Sequence, residues 1–155
     1  MQRQTIAVAA LGLLFGTPLS LRGQERSYSA TKQVVWNAVH GALSALQIAI
    51  TKEDSAKGEI LSEPAPTDST YVQCQLHVGR GRPSGFWFAP KTKLEVSLKE
   101  RSASETLVRI KFSAKKIDVS SGGFIGQMRC KSTGRLEEDL LTQVQSRLAA
   151  PSGKP

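Results

Sequence analysis

Between Lys93 and Lys115 the chain reads KLEVSLKERSASETLVRIKFSAK, and this stretch decides the fold. Leu94, Val96 and Leu98 alternate with Lys93, Glu95, Ser97 and Lys99. After a polar turn at Ser102–Glu105, Val108, Ile110, Phe112 and Ala114 alternate with Arg109, Lys111, Ser113 and Lys115. Successive side chains of a strand point to opposite faces, so each segment has one apolar and one polar face. Two such segments joined by a short polar turn imply an antiparallel pair with one face on a core and the other in water. Tyr71 to Val78 repeats the pattern, with Val72, Cys74, Leu76 and Val78 opposite Tyr71, Gln73, Gln75 and His77.

The apolar faces of these strands need a cover, and the flanks supply it. Upstream, Val35, Val39, Ala42, Leu43 and Leu46 recur at helical spacing, with Ser29 or Thr31 placed to accept hydrogen bonds from the first free amides. Downstream, Leu136, Leu140, Leu141, Val144 and Leu148 form the stripe of a helix over about 132–149, whose first turn carries Glu137, Glu138 and Asp139 against the helix dipole. Two short strands around Ile48–Ile50 and Ile60–Leu61 flank a turn with Glu53, Asp54 and Gly58, and PAPTDST reads as a loop. IDVSSGGFIGQMRCK reads as irregular, either a last strand stub or a flexible excursion around Gly122, Gly123 and Gly126. The predicted fold class is α+β: two layers, an antiparallel sheet of about five strands, and an N-terminal and a C-terminal helix on one face.

Residues 1–23 stand apart. Arg3 precedes an apolar run from Ile6 to Phe15 and a tail containing Pro18, the layout of a secretory signal peptide and too short for a bilayer span. A single domain is expected over 28–149, with 150–155 as a disordered tail. Removal of 1–23 takes the net charge from +8 to +6 by losing Arg3 and Arg22, so the basic balance survives. Four thiol or imidazole ligands would use both Cys and both His, and Glu53, Asp54 and Glu59 lack the spacing of a calcium loop. No metal and no cofactor is expected.

The first helix with its tryptophan (VVWNAVHGALSAL), the strand Ile48–Ile50, the acidic turn and the Gly58, Glu59, Ile60 triplet together form a pattern. It resembles the helix-grip periplasmic domains of the outer-membrane β-barrel assembly lipoprotein and of related small envelope proteins. The resemblance covers about Tyr28 to Ala149 and implies a non-catalytic binding or assembly module. The lipoprotein members carry a Cys directly after the signal peptide, whereas the first Cys here is Cys74. Membrane tethering through that residue is therefore not expected.

Export makes a Cys74–Cys130 disulfide the first reading of the only two thiols; the alternative is a buried apolar Cys74 and a free Cys130. The segment Gly79–Lys93 gathers Arg80, Arg82, Lys91 and Lys93 around Phe86, Trp87 and Phe88. Cations beside aromatics suit an envelope protein or an anionic lipid surface, although the aromatics could equally close the core. Arg109, Lys111 and Lys115 form a same-face row with Lys93 and Lys99; export argues against nucleic acid as its ligand, and a solvated sheet face is the ordinary explanation. His40 and His77 could serve as bases in a small secreted hydrolase of an acidic polymer, but no catalytic motif accompanies them. The leading expectation is an exported, non-enzymatic binding module, periplasmic or secreted.

Overall fold

The computed structural model describes residues 24–74, 85–87, 89–120 and 125–150. Among them are nine strands and two helices. In chain order these are β1 (Gln24–Tyr28), α1 (Lys32–Ala45), β2 (Ile50–Asp54), β3 (Glu59–Ser62), β4 (Ala65–Pro66), β5 (Val72–Cys74), β6 (Gly85–Trp87), β7 (Lys91–Ser102), β8 (Glu105–Ser120), β9 (Ile125–Ser132) and α2 (Arg135–Ala149). Among the described residues every strand pairing is antiparallel, and the pairings join the strands into one sheet, as the alternation over 93–115 predicts.

The expected count of about five strands is corrected to nine, and the length of β8 is the reason. Its 16 residues exceed any single partner. Along one edge it pairs with β7 and then, from Asp118 to Ser120, with β6; along the other it pairs with β1 at Thr106–Ile110 and with β9 at Ala114–Val119. Strand β7 likewise takes β3 and then β4. The nine segments thus fill six positions across the sheet: β2, then β3 with β4, β7 with β6, β8, β1 with β9, and β5.

Three local readings change with this. Residues 117–120 and 125–131, expected to be irregular with at most a strand stub, continue β8 and form most of β9. In the sequence of β9 one set of alternate positions is Gly126, Met128 and Cys130 rather than large aliphatics, so the alternation signal is weak there. PAPTDST is not wholly a loop, because Ala65 and Pro66 pair with Thr92 and Lys91 on the rim of the sheet, where proline is tolerated. Gln24–Tyr28, with Tyr28 as its one apolar residue, joins the sheet before the expected start at 28.

Both helices cover one face, as expected. Thr31 caps α1 by accepting the Val34 N–H, and Val35, Trp36, Ala38, Val39, Ala42 and Leu43 are buried. They pack with Leu94, Val96, Leu98, Val108 and Ile110 of the sheet and with Leu136, Leu140, Leu141 and Val144 of α2. Each Val, Leu or Ile among these contributes roughly 1.5–3 kcal/mol on full burial. Helix α2 begins at Arg135 behind a left-handed Gly134 that offers no side-chain cap. Ser132 Oγ substitutes, accepting the Gly134 N–H and donating to the buried Glu137 carboxylate.

Beyond the helices, at the other end of the same face, Val72, Ala114 and Cys130 form a second small cluster with Cys74 and Phe112 packed against it. Cys74 and Cys130 stand directly opposite on β5 and β9 and are joined in a disulfide. That settles the open reading of the thiols. Among the described residues, no helix is long and apolar enough to cross a membrane.

Candidate functional site

With both helices on one face, the other face of the sheet meets solvent. Its charges are sorted along the strands. Toward the β7–β8 turn, cations meet acids: Arg109 pairs with Glu25 of β1, Lys111 stands opposite Glu95, and Arg101 lies 3.8 Å from Glu105. At the β2–β3 hairpin, Asp54 accepts the Lys57 N–H over 3.0 Å and lies 3.7 Å from the Lys57 ammonium. The backbone hydrogen bond is the main reason that its carboxyl titrates below the ordinary range.

Toward the other end the balance disappears. Pro66 faces Lys91, Lys91 faces Lys115, and Lys115 faces Arg129, so one line across β4, β7, β8 and β9 carries three cations in register. Lys93 lies two residues along β7 and Lys131 two residues along β9, on the same faces of their strands, with Lys131 opposite Gln73. Among the described residues none of these five cations makes an ion pair. Like charges directly opposite each other are destabilising. The fold therefore carries a cost here that it avoids at the opposite end.

Apolar groups border this cationic end. Ile117, 36% exposed, lies on β8 two residues beyond Lys115. An open groove of about 600 Å³ runs over Lys91, Lys93 and Lys115, with Ile117, Pro64 and Ala89 along it. Strand β6 extends the sheet at this end, Phe86 and Trp87 standing in register with Val119 and Asp118.

Of the residues singled out from sequence, Lys91 and Lys93 lie on this face and the backbone of Phe86 and Trp87 lies at its end. Arg80, Arg82 and Phe88 fall outside the described residues. The proposed row of Arg109, Lys111, Lys115, Lys93 and Lys99 does share one face, but it divides: Arg109 and Lys111 have acidic neighbours, and Lys99 stands opposite Leu107 toward the β7–β8 turn. Arg129 and Lys131 were not singled out, because the segment containing them read as irregular. Alternation of Arg129 and Lys131 about Cys130 was the available signal.

His40 presents a different arrangement. Its Nε2 lies 3.1 Å from Glu53 Oε2, without the alignment of a hydrogen bond, and its ring sits 5.0 Å from that of Trp36. This contact ties α1 to β2. His77 is outside the described residues. Glu53 thus faces His40 while Asp54 holds the hairpin turn, and among the described residues no cluster of three His, Cys, Asp or Glu is placed to hold a metal ion.

Comparison with known proteins adds little to this geometry. No protein-family model and no curated protein sequence matches the chain. Among solved structures, the chain is similar to a DUF4468 family protein from Bacteroides ovatus, at 12% identity and a TM-score of 0.40, over 92% of this chain and 96% of that one.

Proposed function

We propose that the protein is an exported, non-enzymatic binding module, periplasmic or secreted, whose solvent-facing sheet meets an anionic partner of the cell envelope through its basic end. The observation that carries this reading is the segregation of charge on one face. Arg109 has its acidic partner, whereas Lys91, Lys93, Lys115, Arg129 and Lys131 have no ion-pair partner among the described residues. Uncompensated cations held on a rigid scaffold favour association with a negatively charged surface. The disulfide fits an oxidising compartment, which supports export. The envelope role also accords with the resemblance to helix-grip periplasmic domains.

A photo-crosslinking side chain placed at Lys93 tests the reading in native envelopes, with the same group at Gln33, an exposed position on α1, as reference. Adducts form from position 93 and weaken as salt rises. Equal labelling from both positions, or none from 93, would show that this face is not the contact.

A further inference from the structure

Resting on that reading, we infer that the partner of the basic end is the phosphate-bearing surface of an anionic bilayer. The row Lys91–Lys115–Arg129 seats the headgroups, and the Ile117 edge supplies an apolar contact.

The arrangement of the charges points to a surface rather than to a chain. Neighbouring strands lie about 4.8 Å apart and alternate residues of one strand about 6.8 Å apart. Lys91 and Lys93 on β7, Lys115 on β8, and Arg129 and Lys131 on β9 are therefore spread over two dimensions, whereas a linear polyanion would follow a single line. Guanidinium and ammonium groups together suit phosphate oxygens, Arg through paired donors and Lys as a point charge. Ile117 is one of two large hydrophobic residues exposed among the described residues, and it borders the cations. An anionic surface also accounts for tolerance of the register: Lys115 has a cation opposite on both sides, a placement that a bound anion would relieve.

The test compares Lys115→Gln with Lys99→Gln in the full chain. Both remove one positive charge from the same face, but Lys99 lies outside the row, opposite Leu107. Co-sedimentation is measured at low salt with vesicles of phosphatidylcholine alone and with vesicles also containing phosphatidylglycerol. The unmodified protein binds only the anionic vesicles. Lys115→Gln weakens binding about five-fold and Lys99→Gln much less, as expected for loss of one cation near a charged surface. Without vesicles, Lys115→Gln melts at the same temperature as the unmodified protein or higher, so the lost binding is not a loss of folding.

Equal weakening by the two variants would overturn the row as the contact and leave only net charge. Stabilisation by inorganic phosphate to the same degree as by vesicles would overturn the bilayer in favour of a soluble phosphate ligand. Failure to bind anionic vesicles, with crosslinking at position 93 intact, would defeat the bilayer assignment while the binding-module reading stands and would direct attention to an acidic protein. Failure of both would defeat the two together.

Discussion

The Tyr28 hydroxyl donates to the backbone carbonyl of Leu141 over 3.0 Å, tying the first strand to the middle of the last helix. The phenol is buried, and burial is the main reason that its pKa lies above the ordinary tyrosine value. Tyr28→Phe removes the bond while keeping the ring and is expected to cost about 1 kcal/mol. The pH dependence has a definite sign. A tyrosine whose folded pKa is raised stabilises the fold fully below the unfolded pKa of about 10, and that contribution is lost as pH rises through the folded value. Denaturant titrations from pH 8 to 11 should show stability of the parent falling more steeply above about pH 10 than that of Tyr28→Phe. Parallel curves would remove Tyr28 as the cause.

Ser62 fills a gap in the ladder. Pairing of β3 with β7 is registered from Glu59↔Ser97 to Leu61↔Glu95 and resumes with β4 at Ala65↔Thr92. Between these stretches the Leu94 N–H donates to Ser62 Oγ over 2.8 Å, in a buried setting. Ser62→Ala leaves that amide without its partner and should destabilise by about 1–3 kcal/mol, measured by urea denaturation. A loss below a few tenths of a kcal/mol would mean that another group reaches the amide.

Gly58 closes the β2–β3 hairpin with φ of +73°, and its carbonyl accepts the Leu98 N–H over 2.7 Å. A Cβ at this position would lie 2.4 Å from the Leu98 carbonyl oxygen. Gly58→Ala thus combines a left-handed backbone with a clash against main chain, and a cost of about 2 kcal/mol or more is expected. A melting temperature within a degree of the parent's would contradict this account.

The Cys74–Cys130 disulfide joins strands 56 residues apart in sequence, beyond the helix-covered core. In the chain-entropy account, closing a loop of this size stabilises by about 4 kcal/mol. Replacing both cysteines with alanine should lower the unfolding free energy by about 2–4 kcal/mol, as read from denaturant midpoints at unchanged slope. Retained stability would show that the small cluster of Val72 and Ala114 holds this end without the bridge.

How much of this was legible depended on whether the signal lay within one segment. Leu94, Val96, Leu98, Val108 and Ile110 announced strands, and Val35, Val39 and Leu43 announced a helix, because each set repeats with the period of its own backbone. The same periodicity placed Lys93, Arg109, Lys111 and Lys115 together on the outer face. Strand β1 was not legible and β9 only as a possible stub, since one has a single apolar residue and the other alternates Gly126, Met128 and Cys130 in place of large aliphatics.

Sequence by itself determined which side chains share a face, because alternation is built into the geometry of each strand. It also marked the two cysteines as a candidate pair. Only the tertiary structure decided which strands are neighbours and in what register. Those choices come from hydrogen bonds between residues far apart in the chain and from burial of one face beneath two helices. Register is what brings Lys91 and Arg129 to either side of Lys115, gives Arg109 its Glu25, and so makes one end of an otherwise ordinary basic face a candidate site.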